Sequence, residues 1–96
     1  MCNAMIIDAR DNVIVAIEPI KKGDDVCYLC GGEEKHLKSL EDITIYHKLA
    51  ACDIKKGAPV TKYGEHIGVA TRDIQAGEHV HTHNVEGHRE NLEAKA

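Results

Sequence analysis

Aromatic residues are scarce in this sequence, and a surplus of basic charge is missing. Among 96 residues there is no Trp, no Phe and only three Tyr, so aliphatic side chains must form the core. Twelve Lys and Arg are outnumbered by 16 Asp and Glu, which gives a net charge of −4. Because phosphate neutralisation supplies most nucleic-acid affinity, we expect no nucleic-acid partner.

Long apolar runs and processing signals are also missing. No run approaches the roughly 20 apolar residues of a membrane span, so we expect no membrane partner. The N-terminus shows no basic region followed by an apolar stretch, and a cytoplasmic location is expected. Four Cys in such a chain predict reduced thiols rather than a disulfide framework. The sequence also contains no P-loop, no G-x-G-x-x-G fingerprint and no serine nucleophile elbow.

One short pattern occurs three times and predicts the fold class. The copies are Glu18–Val26, Cys52–Val60 and Arg72–Val80, with Gly23, Gly57 and Gly77 at matching positions. Since glycine adopts positive φ without steric cost, each copy predicts a tight turn that leads into a strand. The copies are unequally spaced along the chain, which argues against a solenoid.

Short apolar segments between these turns predict strands. They are Asn12–Ile17, Val26–Cys30, Ile43–Ala51, Val60–Tyr63, Ile67–Ala70 and Val80–Val85. The charged segment Glu33–Asp42 fits either a polar strand or one helical turn. Short strands separated by glycine turns predict a single all-β domain. We expect a lead-in over 1–10, the domain over 11–85 and a polar tail over 86–96.

Seven His in 96 residues is the unusual count, and three of them are closely spaced. His79, His81 and His83 alternate with other residues, so on one strand they would share a face. The row would span about 13 Å, so two neighbours could bind one metal ion, while the third requires the strand to twist or end. The alternative is a solvated strand face that is rich in His.

Two lysine-containing clusters are further candidates. Lys48 could bind a carboxylate and His47 could act as a general base or a metal ligand. Lys62 and Tyr63 could place a cation and a phenol over an anionic sugar acid. The alternatives are a polar strand edge at His47 and a core Tyr63 beside a solvated Lys62.

Cys27 and Cys30 form a C-x-x-C pair followed by two glycines, which resembles half of a zinc knuckle. No second such pair exists, so a four-ligand zinc site would need His36 or another residue. Redox chemistry and buried, inert thiols are the other interpretations.

Four segments together resemble the SAF domain that begins altronate dehydratases. They are Asp11–Ile17, His47–Gly57, Lys62–Gly68 and Asp73–Asn84. Galactarate dehydratases and the small subunit of sulfolactate sulfo-lyase share this domain. The resemblance covers residues 11–84 and implies a β-clip fold of short twisted strands with glycine corners.

This resemblance also implies a function. Family members are lyases that remove water or sulfite from a hydroxy acid, and the dehydratases are iron-dependent, which implies a divalent metal, Fe(II). The chain is expected to be a small subunit that dehydrates a sugar acid such as altronate together with a large catalytic subunit, and to be inactive alone. The implied roles are catalysis for His47 and Lys48, metal binding for His79, His81 and His83, and substrate binding for Lys62, Tyr63 and Asn84.

Three alternatives stay open beside this expectation. The chain could be the small subunit of a sulfolactate sulfo-lyase, a non-catalytic module that binds a sugar acid or a metal, or a structural partner of a large subunit. Assembly into a homo-oligomer is also open. Two residues depart from the family pattern: Tyr46 stands where the family usually has Gly, and the pair of Cys27 and Cys30 is not a family feature.

Overall fold

The computed structural model describes residues 2–87, and all regular structure in this range is β. The strands are β1 (Ala4–Met5), β2 (Val13–Ala16), β3 (Asp25–Cys30), β4 (Glu33–Lys38), β5 (Lys48–Ala50), β6 (Pro59–Lys62), β7 (Glu65–Ala70), β8 (His79–Val80) and β9 (Val85–Gly87). The all-β prediction is therefore confirmed. Within the described range no helix is long and apolar enough to cross a membrane.

The strands form three small antiparallel sheets. A central sheet has the order β1-β2-β5-β8, β3 and β4 form a hairpin, and the third sheet has the order β6-β7-β9. Two isolated bridges, Ile20 with Ile43 and Ile54 with Ile74, connect the turns between the sheets.

Strands β2 and β5 are buried on both faces because they separate two hydrophobic clusters. Ile14 and Leu49 pack into a cluster with the β3–β4 hairpin. Val13 and Ala50, one residue away on each strand, pack into a second cluster with β6 and β7. Successive side chains on a strand point to opposite faces, so one continuous apolar run can serve both clusters.

The three glycines of the repeated pattern occupy equivalent corners, as predicted. Gly23, Gly57 and Gly77 have φ of 90°, 85° and 89°. Each glycine N–H donates to a backbone carbonyl oxygen of another segment at 2.8 Å. The next N–H donates back to the carbonyl three residues earlier, at 2.9–3.0 Å. The shared sequence pattern therefore encodes one turn geometry, used three times.

A fourth corner has the same geometry without a glycine. Tyr46 has φ of 69° and its N–H donates to the carbonyl oxygen of Ala16 at 2.7 Å. The N–H of His47 then donates to the carbonyl oxygen of Thr44 at 3.0 Å. The segment Asp42–Lys48 thus repeats the pattern with Tyr at the glycine position, which is why a search for glycine turns does not find it.

Several sequence expectations are corrected or completed. The segment Glu33–Asp42 provides the polar strand β4 rather than a helical turn. Strand β5 is much shorter than the predicted Ile43–Ala51 because the Tyr46 corner precedes it. The strand predicted over Val80–Val85 is wrong, since β8 ends at Val80 and a turn follows. The short strands β1 and β9 were not predicted.

The N-terminal segment is joined to the hairpin by a disulfide. Cys2 and Cys27 are bonded, with their Cα atoms 4.6 Å apart, so the expectation of four reduced thiols is wrong. Cys30 and Cys52 are free thiols. Strand β1 pairs with β2, so part of the predicted lead-in over 1–10 contributes to the central sheet. The domain boundaries stay a prediction, and residues 88–96 of the predicted tail lie outside the described residues.

Candidate functional site

The turn that ends β8 is built around Asn84. This side chain is fully buried, its Oδ1 accepts a hydrogen bond from the His81 N–H at 2.9 Å, and its Nδ2 donates to the His79 carbonyl oxygen at 2.8 Å. The amide therefore satisfies two backbone groups that the strand leaves unpaired. The turn directs His81 back toward β8 instead of along a straight row.

Three imidazoles converge as a result. Nδ1 of His47 lies 3.0 Å from Nε2 of His79. The ring of His81 is 5.0 Å from that of His47 and 5.5 Å from that of His79, centroid to centroid. One ligand nitrogen from each of the three rings lies within 4.8 Å of the other two. The histidine cluster, as we define it, comprises His47, His79 and His81.

His83 lies beside the histidine cluster but does not complete it. Its ring centroid is 5.4 Å from that of His79, and the two planes are tilted by 36°. The three-nitrogen group does not include it. The structure therefore brings two of the three residues predicted as metal ligands together with His47. The family resemblance implied a catalytic role for His47, while the residues alone left it open as a general base or a metal ligand.

The electrostatic environment favours neutral imidazole at the centre of the cluster. Burial lowers the pKa of His79, and the neighbouring His83, His47 and His81 lower that pKa further when charged. Glu41 opposes this effect, and its carboxylate accepts the His79 backbone N–H at 3.1 Å. Neutral imidazole is the form that binds a metal ion.

A cleft of about 460 Å³ lies next to the cluster. It is lined by Lys48, Ile67, Val80, His81, Thr82, Val85 and Glu86. The Lys48 side chain is half-buried, and its pKa is lowered by burial and by the positive charge of Lys62. An ammonium group and an imidazole thus border the same cleft, where an anionic ligand would offset the lysine's lost hydration.

The residues predicted to bind substrate lie in three different environments. Lys62 is close enough to affect the pKa of Lys48, and its Nζ lies 4.8 Å from the centre of the Tyr63 ring. Tyr63 is 58% exposed. Neither side chain lines the cleft beside Lys48. Asn84 is buried within the turn, where it shapes the position of His81.

Asp11 is a structural residue that the sequence reasoning did not single out. Its buried carboxylate accepts backbone N–H bonds from Asp8, Tyr63 and Gly64 at 2.8–3.1 Å. These bonds fix the β6–β7 turn, in which Tyr63 adopts φ of 57°. The sequence signal for this role was an acidic residue directly before the predicted strand Asn12–Ile17.

The donor set of the histidine cluster fits a divalent first-row transition metal. Imidazole nitrogen is a common ligand for Fe, Zn, Ni and Cu, and three such ligands leave further positions open. Binding of a metal ion through Nδ1 of His47 and Nε2 of His79 would replace the hydrogen bond between these atoms. In that bond one nitrogen carries the proton and the other uses its lone pair to accept it, so the two lone pairs are not both free for a metal ion.

Residues 2–88 match the family model described as the altronate/galactarate dehydratase SAF domain. The match covers all of the described residues. An all-β SAF domain is therefore the class that the fold and sequence define, and the chain belongs to the altronate/galactarate dehydratase SAF domain family.

Curated relatives include whole enzymes and a separate subunit. The chain is 44% identical over 78 residues to the altronate dehydratase of Escherichia coli (strain K12) and 40% identical over 79 residues to that of Bacillus subtilis (strain 168). Each match covers 81% of this chain but 15% of the relative. The chain is also 35% identical over 88 residues to the (2R)-sulfolactate sulfo-lyase subunit alpha of Chromohalobacter salexigens, which covers 88% of this chain and 94% of that subunit.

Proposed function

We propose that this chain is the small subunit of a cytoplasmic hydro-lyase that dehydrates a sugar acid such as altronate. It contributes the histidine cluster and Lys48 to a site that it shares with a large catalytic subunit. The observation that supports this most directly is the convergence of three imidazoles beside a cleft bordered by a half-buried lysine. The relatives named altronate dehydratase support dehydration as the reaction class.

Dehydration beside a carboxylate requires three contributions. A base removes the proton α to the carboxylate, an acid assists the departing hydroxide, and positive charge stabilises the carboxylate as the α-carbon becomes electron-rich. A divalent metal, Fe(II) in this proposal, would supply Lewis-acid stabilisation when bound. His47, His79 and His81 would hold it.

Lys48 is the residue suited to bind the substrate carboxylate. Its ammonium borders the cleft together with His81, and Lys62 adds positive charge nearby. An anionic substrate raises the pKa of Lys48 toward its ordinary value, so binding and protonation reinforce each other. His83, which lies outside the three-nitrogen group, remains available for proton transfer.

The site is open and needs a second protein surface. His81 is exposed, and His47 and His79 are half-buried. An exposed cluster does not exclude water or surround a substrate, as efficient catalysis requires. The chain spans 15% of the altronate dehydratases that it matches, so the remaining 85% of such an enzyme is the natural source of the missing residues.

Complementation in trans tests this proposal. The chain is mixed with an altronate dehydratase from which the matching SAF segment has been removed, and altronate dehydration and complex formation are measured together. We expect turnover only from the mixture. His81→Ala should abolish turnover but not assembly, whereas His66→Ala, at a histidine outside the cluster, should preserve both. Turnover by the chain alone, or by the His81→Ala mixture, would refute the shared site.

Metal binding has its own test. Fe(II), Zn(II) and Ni(II) are titrated into the chain while the histidine NMR resonances are recorded. We expect His47, His79 and His81 to shift together, with affinity falling as the pH drops below about 6.5, because protonated imidazole does not bind metal. If the resonances do not move, the metal-binding proposal is wrong and these residues keep only acid–base roles.

A second candidate function is the small subunit of a sulfolactate sulfo-lyase. The supporting observation is that the match spans 94% of the relative named (2R)-sulfolactate sulfo-lyase subunit alpha. A sulfonate is also an anion that Lys48 can bind. Assays of the reconstituted complex with altronate and with sulfolactate separate the two, since the second reaction releases sulfite.

A further inference from the structure

A second group of metal-binding side chains lies on the β3–β4 hairpin, outside the histidine cluster. Cys2, Cys27 and Glu34 each offer one ligand atom, and these three atoms lie within 4.8 Å of one another. Cys2 and Cys27 are joined by the disulfide described above. The C-x-x-C motif in the sequence indicated only the pair of Cys27 and Cys30. Cys2 is 25 residues from Cys27 in the sequence and is brought next to it by the fold.

Strand register explains why these side chains meet. Cys27 pairs with His36 across the hairpin, and Leu29 pairs with Glu34. Alternate residues share a face, so Cys27, Glu34 and His36 lie on one side of the hairpin. Cys30 pairs with Glu33 and lies on the other side, packed against the hydrophobic cluster.

The residue after Cys2 fixes the N-terminal segment against β3. The Asn3 Oδ1 atom accepts the Cys27 backbone N–H at 2.9 Å, and its Nδ2 donates to the Asp25 carbonyl oxygen at 3.0 Å. These two bonds do not depend on the disulfide, so they can hold Cys2 beside Cys27 when both sulfurs are reduced.

His36 holds the carboxylate of the group in place. Its Nε2 lies 2.8 Å from a Glu34 oxygen and its Nδ1 lies 2.8 Å from an Asp25 oxygen. Carboxylates that bind a metal ion are themselves commonly hydrogen-bonded, and His36 makes such a contact with Glu34. The ion pairs themselves are about half exposed, so they contribute little stability that would otherwise account for this arrangement.

We propose that reduced Cys2 and Cys27, together with Glu34, form a site for a thiophilic divalent ion such as Zn²⁺, and that disulfide formation closes this site. Two thiolates and one carboxylate occupy three tetrahedral positions and leave the fourth for water. The site differs from the histidine cluster in its donor atoms, so it stands whether or not the proposed dehydratase function is correct.

Formation of the site takes two steps, reduction of the disulfide and binding of the metal ion. A dithiol reductant transfers two electrons and two protons to the disulfide, which yields two cysteine thiols and the cyclic disulfide of the reductant. The divalent ion then binds the two thiolates, and two protons are released to solvent. In the oxidised chain neither sulfur is a thiolate, so we expect no binding at this site.

Co²⁺ is the probe for the test, because thiolate ligation gives it an intense charge-transfer absorption. The full chain carries His47→Ala, His79→Ala and His81→Ala to remove the first cluster, is reduced with a dithiol, and is desalted under anaerobic conditions. We expect the absorption to saturate at one Co²⁺ per chain and to be absent from the oxidised chain. Cys2→Ser should abolish the Co²⁺ absorption, and Glu34→Gln should weaken Co²⁺ binding by about tenfold or more. Cys30→Ser is the control and should preserve both the absorption and the affinity for Co²⁺.

Alkylation of the unmutated chain provides a measurement that requires no variant. The reduced chain has four thiols, and saturating Zn²⁺ should slow the alkylation of two of them, identified as Cys2 and Cys27 by peptide mapping. The proposal is overturned if Zn²⁺ protects neither cysteine, if the Co²⁺ absorption survives Cys2→Ser, or if Cys30→Ser removes it.

Discussion

Tyr46 shows how a single residue positions the candidate site. Its φ of 69° lies in the left-handed region, and its side chain is 73% exposed, so packing does not compensate for the backbone conformation. This conformation costs an L-residue about 1–2 kcal/mol. The hydrogen bonds of Tyr46 and His47 nevertheless close the corner that places His47 against His79.

Tyr46→Gly should therefore stabilise the chain. Relief of the left-handed conformation outweighs the extra entropy that glycine brings to the unfolded state, so we expect a net gain of about 0.5–1 kcal/mol in the free energy of unfolding. Thr44→Gly, at an exposed position of the same corner, should instead lose about 0.5–1 kcal/mol. Urea denaturation measures both, and equal losses in the two variants would show that Tyr46 is not strained.

Two histidines should have opposite effects on stability as the pH changes. The Asp25 and Glu34 carboxylates raise the pKa of His36, whereas burial lowers that of His79. The stabilisation from His36 is complete below the unfolded-state pKa of about 6.5 and is lost as the pH rises through the folded-state pKa. The contribution of His79 is present above about pH 6.5 and is lost as the pH falls through its folded-state pKa.

His36→Gln isolates the first of these effects. The free energy of unfolding of the unmutated, oxidised chain should exceed that of the variant most at about pH 6 and below, and the difference should shrink as the pH rises. Urea denaturation at a series of pH values measures this difference. A difference that is constant with pH would mean that His36 acts through packing and not through its charge.

The corners are the elements that organise the fold, and two of them cap each other. The Asp53 carboxylate accepts the N–H of Ala76 at 2.9 Å, just before Gly77, and the Asp73 carboxylate accepts the N–H of Lys56 at 2.9 Å, just before Gly57. The bridge between Ile54 and Ile74 lies between these bonds. The Asp42 carboxylate similarly accepts the N–H of Lys22 at 2.9 Å, just before Gly23.

At this scale the sequence predicted the three glycine corners because each carries the full local signal. The fourth corner was missed because its left-handed residue is Tyr46, and tyrosine does not by itself predict positive φ. The strand predicted over Val80–Val85 was wrong for a related reason: Asn84 uses its side chain to end β8, and such an amide contact cannot be read from the alternation of residues. The proximity of His47 and His79 depends on the pairing of β5 with β8, which local pattern does not determine.

Gly77 and Gly57 offer a matched comparison of corner substitutions. Both have the same left-handed φ, so alanine at either position costs about 1–2 kcal/mol. A Cβ atom at Gly57 meets open space, whereas one at Gly77 would collide with the Lys38 carbonyl oxygen. We expect Gly77→Ala to be clearly the more destabilising in urea denaturation, and equal losses would contradict the close approach.

The whole molecule is organised by the two hydrophobic clusters that β2 and β5 separate. The sequence predicted the aliphatic core because composition and short apolar runs specify it. It could not predict that β1 joins the central sheet or that Cys2 reaches Cys27, since both contacts connect segments distant in sequence. Because each central strand contributes to both clusters, neither cluster can lose its packing without disturbing the other.

Unfolding should accordingly be a single cooperative event. Leu49→Ala in one cluster and Ile74→Ala in the other should each cost about 2–5 kcal/mol, and each should accelerate amide hydrogen exchange in the β3–β4 hairpin and in the β6–β7 pair alike. Leu29→Ala, at a side chain that is 58% exposed, is the control and should change exchange little in either place. If Ile74→Ala accelerates exchange only in β6 and β7, the two clusters unfold independently, and the central strands do not couple them.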